Sequence, residues 1–192
     1  MRMTITEAKK IHSAHIARGI MQAMSNDCCQ YFAGPGHTLA EFEAVMTKLV
    51  ETENTQYSYR NTLVALDDDG TVAGICVSYD GKDLHTLRKP FIAAIKSAFG
   101  RDYSGIGDET QAGELYLDSL AVDERYRRRG IAGKLLQATK EKAARLGLPA
   151  VGLLVDKGNP NAERLYRANG FEYVNDTTWG GHQMRHLQLA AK

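Results

Sequence analysis

Hydrophobic and polar positions alternate with two distinct periods along this chain. Met3 to Thr6 reads as a short first strand. Glu7 to Met24 then carries Ile11, Ile16, Ile20, Met21 and Met24 at roughly helical spacing, which predicts an amphipathic helix. Asn26 to His37 contains Gly34-Pro35-Gly36 and reads as a loop. Thr38-Leu39-Ala40-Glu41 has the form of a capping box, and Phe42, Val45, Met46, Leu49 and Val50 follow on one helical face. Two β-rich apolar runs come next, Thr62 to Leu66 and Val72 to Tyr79. Asp67-Asp68-Asp69-Gly70 joins them as a hairpin turn. Asp80 to Gly113 reads as an insertion between sheet strands, with helical spacing from Pro90 to Phe99.

The second half is more regular. Leu115 to Val122 has the length and composition of a buried strand, and Asp123 to Tyr126 is a polar turn. A helix follows, with Leu135, Leu136, Thr139, Ala143 and Leu146 on one face and Gly147 with Pro149 at its end. Ala150 to Val155 reads as another buried strand. Asn159-Pro160 caps a further helix, which Asn169-Gly170 stops. Glu172 to Val174 and Gln183 to Leu189 read as strands around Gly180-Gly181. No composition shift or repeat marks a boundary. The expectation is one α+β domain over 1–192, layered as a sheet between helices, with the insertion at about 80–113.

Composition removes several function classes. Lys and Arg number 24 against 23 Asp and Glu, so the basic surplus expected of a dedicated nucleic-acid binder is missing. No apolar run approaches a membrane span, and Met1 to Met24 is interrupted by charges unlike a signal peptide. Cys28, Cys29 and Cys76 offer neither a disulfide framework nor zinc spacing, which suits free thiols in a cytoplasm. His182 and His186 lie four apart, but the stretch reads as a strand, so a metal pair carries little weight there.

Candidate chemistry begins at Arg127-Arg128-Arg129-Gly130-Ile131-Ala132-Gly133, between a strand and a helix start. Unpaired N–H groups and the dipole make such a helix start a place for an anion, and the small residues leave room for its approach. A nucleotide P-loop is excluded, because Arg128 stands where glycine is required before Gly133-Lys134 and Leu135 follows. The dinucleotide fingerprint lacks its middle glycine. The other informative stretch is Asn159 to Phe171. Its spacing puts Ala162 and Tyr166 on one face of a short helix. A small residue there lets a ligand pass, and a phenol one turn on can reach its end. Taken alone, Tyr166 is more commonly a core tyrosine.

Taken together and in this order, Leu115 to Ala132 and Asn159 to Phe171 resemble the acetyl-CoA-binding core of the GCN5-related N-acetyltransferase (GNAT) superfamily, with no subgroup matched. The resemblance implies a mixed, mostly antiparallel sheet that splays between the strand ending at Val122 and the strand from Ala150 to Val155. It implies acetyl-CoA in that split as the acyl donor, and no metal. At Leu120-Ala121-Val122, the backbone of Leu120 and Val122 would pair with the pantetheine arm. The amides of Arg128, Arg129, Gly130, Ile131, Ala132 and Gly133 would hold the pyrophosphate, with Arg127 in the Arg/Gln position of the motif. Asn159 would contact pantetheine or fix its helix, Ala162 would leave room, and Tyr166 would stand near the thioester sulfur as the acid.

The implied reaction is direct attack of a primary amine through a tetrahedral intermediate. A backbone N–H near Leu120 would serve the oxyanion. Glu114, and after it Asp118, is the candidate base, with a water chain as the family's other solution. The alternative is an acyl-CoA-binding regulatory module without catalysis. The resemblance also implies a small-molecule or peptide amine as partner, no nucleic acid, no membrane, and a homodimer as an assembly common among relatives. Asp102, Asp108 and Glu109 in the insertion suit a cationic acceptor, although a solvated loop explains them equally.

Overall fold

The computed structural model describes residues 3–192. Its strands are β1 (Thr4–Glu7), β2 (Thr62–Leu66), β3 (Val72–Asp80), β4 (Leu115–Val122), β5 (Ala150–Asp156), β6 (Glu172–Trp179) and β7 (His182–Ala190). Its α-helices are α1 (Ser13–Met24), α2 (Asn26–Ala33), α3 (Leu39–Glu51), α4 (Leu84–Phe99), α5 (Ile131–Arg145) and α6 (Pro160–Ala168). The strands form one sheet in the order β1-β2-β3-β4-β5-β7-β6. Only β4 and β5 run parallel, so the sheet is mixed and mostly antiparallel.

The two faces of the sheet have separate cores. On one face Ile75 and Val77 of β3 meet Ile16 and Ile20 of α1, Phe42 and Met46 of α3, and Phe91 and Ile95 of α4. On the other, Cys76, Leu117 and Leu153 meet Leu135 and Leu136 of α5. Burying a helix stripe on each face is what holds a layered domain together. The capping box at Thr38 forms: its hydroxyl accepts from the Glu41 amide, while Glu41 accepts from the Thr38 amide.

Three local expectations change. Asn26–Ala33 is a helix rather than a loop. Ser25 caps it by accepting from the Cys28 amide, and Cys29 and Phe32 bury on the core before Gly34 ends it. The turn residues act one step later than their cluster suggests. Helix α4 starts at Leu84, so Pro90 lies inside it. Burial of Leu84 and Arg88 on the first turns outweighs the hydrogen bond that proline cannot make. Strand β6 runs on to Trp179, because a register shift between Tyr173 and Asn175 keeps it paired to β7 although nearly every residue is exposed.

Strand β4 departs from regular pairing in a way that shapes the molecule. Val77 pairs with Ser119 and Ser78 with Leu117, leaving Asp118 as a bulge. Before the bulge, Leu115 and Leu117 face α5; after it, Leu120 and Val122 do. On its other side β4 pairs with β5 only through Leu115↔Val151 and Tyr116↔Gly152. The sheet therefore opens immediately before the bulge, and β4 continues to Val122 without β5 beside it.

Leu135 is fully buried beneath this strand pair. Leu135→Ala is expected to lower unfolding free energy by about 2–5 kcal/mol, read as a shift of the urea midpoint with unchanged slope.

Candidate active site

The split between β4 and β5 ends at the turn into α5. Asp123 accepts from the Arg125 amide, and its amide donates to Ala73, which closes β4 onto a single tight turn. Arg128 then takes φ 60° and Gly130 φ 74°, both left-handed. Gly130 supplies that conformation without a Cβ penalty and is the residue from which α5 starts; no side chain among the described residues caps this end. The first-turn amides of Ile131, Ala132 and Gly133 thus point out of the helix without intrahelical partners. Arg127, Arg128 and Arg129 are exposed around them. Arg125 is committed elsewhere, to both oxygens of Asp123 at 3.0 and 2.9 Å.

Leu120, Ala121 and Val122 form the β4 edge leading to this loop. The Val122 carbonyl is already occupied: Gln22 of α1 donates to it at 3.1 Å and Arg127 at 3.4 Å. Across the split stands α6. Asn159 fixes it by accepting from the Ala162 amide at 3.1 Å, with Pro160 in its first turn. Ala162 and Tyr166 both lie against the α5-side core, and the Tyr166 ring meets Phe171 edge-on at 5.6 Å. Burial, then the nearby Cys76 thiol, pushes the Tyr166 hydroxyl well above the usual phenol value, so it stays protonated.

Glu114, Tyr116 and Asp118 lie on the opposite face of the sheet. Glu114 is buried at the mouth of β4 and is held by three donors. His186 Nε2 lies 2.7 Å from Oε2, Gln188 Nε2 donates to Oε2 at 2.8 Å, and Thr110 Oγ1 donates to Oε1 at 2.7 Å. Burial alone would raise its pKa, but these hydrogen bonds together lower it. The carboxyl reaches β7 by passing over Gly152, where any Cβ would collide with it. Asp118 accepts from Ser119, Tyr79 and Gln56 at 3.0, 3.2 and 3.3 Å, yet burial outweighs them and its pKa is raised. The Gln56 Oε1 beside it is buried with no partner among the described residues.

A cleft of ≈ 140 Å³ lies on this face, lined by Asp108, Glu109, Glu114, Leu154, Asp176 and His186. The segment before β4 forms one wall. Arg88 of α4 anchors it by donating to the Ile106 and Gly107 carbonyls at 3.1 and 3.0 Å and to Glu109, and Trp179 donates to Gly107 at 3.0 Å. Burial, then the charge of Asp118, raises the Glu109 pKa to about 7. Asp102 stands apart, paired with Lys96 at 2.8 Å.

The structure thus separates two sets of candidates that the sequence presents together. Tyr166 and the anion loop are on the α5 side, Glu114 and Asp118 on the other, and the split joins them. Sequence reasoning weighed His186 only as half of a metal pair, and it passed over Gln188, Thr110 and Gln56. The signal available was the alternation in β7, where polar His186 and Gln188 share a face between inward Leu187 and Leu189. His182 pairs with Asp156 at 2.8 Å and His186 with Glu114, so the two histidines serve different partners. No group of side chains that could hold a metal ion occurs among the described residues, and no helix among them is long and apolar enough to cross a membrane.

Gly152→Ala is expected to cost about 1–3 kcal/mol by displacing the buried Glu114 carboxyl, seen as a lower thermal midpoint. A midpoint equal to that of the parent would contradict the close approach.

Comparison with known proteins gives a consistent set. A model of the acetyltransferase (GNAT) family matches residues 21–171. A crystal structure described as an acetyltransferase superposes with a TM-score of 0.80 at 31% identity, covering 98% of this chain and 100% of that one. GCN5-related N-acetyltransferase 4, chloroplastic, of Arabidopsis thaliana is 26% identical over 168 residues, 79% of this chain and 58% of that protein. The spermine/spermidine N(1)-acetyltransferase of Bacillus subtilis is 28% identical over 83 residues, 43% of this chain and 55% of that protein. The chain spans about half the length of the curated relatives it matches.

Proposed function

Because the chain belongs to the acetyltransferase (GNAT) family, we propose that it moves an acetyl group from acetyl-CoA to a primary amine. The observation that carries this reading is the split at Tyr116↔Gly152, which runs directly into an uncapped, glycine-opened helix start. The exposed edge of β4 at Leu120, Ala121 and Val122 offers backbone partners to an extended amide-containing arm, as an added strand would need. The amide of Val122 fits that role better than its carbonyl, which Gln22 and Arg127 already hold. Amides from Arg128 to Gly133, with Arg127 and its neighbours around them, suit a pyrophosphate. Acetyl-CoA supplies an acyl group already activated as a thioester.

This chain's own residues would then divide the work. A backbone N–H near Leu120 donates to the developing oxyanion. Tyr166, kept neutral by its surroundings, donates to the departing sulfur from the α5 side. Asn159 and Ala162 keep α6 at the distance that this requires. Glu114 and Asp118 stand on the acceptor side, where an ammonium must lose a proton before it can attack. The carboxylates Asp108, Glu109 and Asp176 around the same cleft favour a cationic acceptor. One relative is a spermine/spermidine acetyltransferase, which agrees with a polyamine among the candidates.

Titration calorimetry with acetyl-CoA tests the donor, and absence of binding at millimolar concentration would overturn the proposal. Turnover is tested with spermidine, butylamine and a lysine tetrapeptide. Binding without transfer to any amine would favour a regulatory acyl-CoA module instead. Tyr166→Phe is expected to lower kcat about 100-fold with nearly unchanged acetyl-CoA affinity. Unchanged kcat would remove Tyr166 as the acid.

A further inference from the structure

Glu114 is buried, and its carboxylate accepts from three sides. Oε1 accepts from Thr110, and Oε2 accepts from Gln188 and faces His186. Those donors stabilise its charge and make it a weaker base toward an ammonium. The imidazole beside it keeps one ring nitrogen free. His186 pairs with Leu154 of β5, two residues beyond the last β4–β5 pair, and so stands one strand away from the split. It lines the cleft although only 6% exposed. Its Nε2 is 2.7 Å from Glu114, while Nδ1 has no hydrogen-bond partner among the described residues.

That asymmetry determines the tautomer. A carboxylate against Nε2 holds the proton on Nε2 and leaves the lone pair on Nδ1. We infer that His186 is the general base of the acetyl-transfer reaction, acting through Nδ1 on the acceptor ammonium directly or through one water, and that Glu114 is its positioning residue. The inference rests on the acetyl-transfer reading of the same site.

The proton balance requires such a group. Converting an ammonium to an amide takes two protons from nitrogen, and the departing thiolate recovers one. One proton per turnover must therefore reach solvent. His186 takes the first proton from the ammonium and passes it out through the cleft. The second leaves nitrogen as the C–N bond forms and the C–S bond breaks, and it replaces the one that Tyr166 gives to sulfur. Base and acid thus occupy opposite faces of the sheet. The carboxylates that line the cleft with it are Glu114 from β4, Asp108 and Glu109 from the preceding segment and Asp176 from β6. Asp108 and Glu109 face Arg88, and Asp176 is paired with Lys157, which leaves Glu114 as the one that contacts the ring. Gly152 is part of the same device, since only a glycine there lets the Glu114 carboxyl cross to β7.

Two measurements on the full chain test this. Nitrogen NMR of histidine-labelled protein at neutral pH is expected to show His186 as the Nε2-protonated tautomer, and an Nδ1-protonated ring would overturn the inference. This readout needs no substrate, so it stands apart from the fate of the acetyl-transfer reading, which acetyl-CoA calorimetry decides. The second is the pH dependence of kcat/KM with spermidine, or with whichever of butylamine or the lysine tetrapeptide is acetylated. His186→Gln is expected to lower kcat/KM about 100-fold at pH 7 with acetyl-CoA binding intact. The loss should shrink as the pH rises toward the amine's own pKa of about 10, where free amine no longer needs a base. A loss that is the same at every pH, or no loss, would overturn the assignment. Should His186→Gln not fold, Glu114→Gln keeps the ring but removes the charge that orients it. It is expected to cost about 10-fold with the same alkaline recovery, and a pH-independent loss would again overturn the assignment.

Discussion

The feature on which the rest of this structure depends is the parting of β4 from β5 after only two residue pairs. A strand inside a sheet normally satisfies its backbone on both sides. Here β4 continues from Leu117 to Val122 with one side unpaired, and buried backbone groups need partners. The fold manages the cost with a bulge at Asp118 that turns the strand, and with side chains such as Gln22 that reach the Val122 carbonyl. What remains is an opening through the sheet, walled by β4 and β5 and closed at one end by the start of α5. This opening is what connects the two faces of the sheet.

Buried charge holds the walls in place. Arg88 joins α4 to the segment before β4 through two carbonyls and Glu109, and the cluster extends electrostatically to Asp118. Such pairs add little net stability, because desolvation offsets their attraction. They do specify position: removing one partner would leave the other charge buried and alone. Lys142 plays the corresponding part beneath the sheet. It donates to the Asn61 and Ser78 carbonyls at 3.2 and 2.8 Å, and burial lowers its pKa to about 8. These ties set α4 and α5 against a sheet whose centre is open.

Several parts of this arrangement were readable in the residues. The run Leu115 to Val122, the glycine at Gly130 and the Asn159-Pro160 helix start are local features. Strand propensity, a left-handed turn and an N-cap are satisfied within a few residues, so they appear in the sequence as patterns. The capping box at Thr38 is legible for the same reason. Asn26–Ala33 and the early start of α4 were not, since each is stabilised by burial of Cys29, Phe32, Leu84 or Arg88 against elements far away in the chain. Pro35 and Pro90 mark breaks that packing overrides or postpones.

The sequence by itself determined the class of the protein: a layered α+β domain, a glycine-opened turn into α5, and a short capped helix that carries Tyr166. These follow from periodicity, turn chemistry and caps, which are properties of neighbouring residues. Only the tertiary structure decided which groups meet. His186 and Glu114 are 72 positions apart, and their contact exists because β7 joins β5 and Gly152 leaves the carboxyl a path. Likewise, no periodicity reveals that Tyr166 and Glu114 lie on opposite faces. A contact across a sheet depends on strand order and register, and those are set by the burial of the whole core rather than by any stretch of chain.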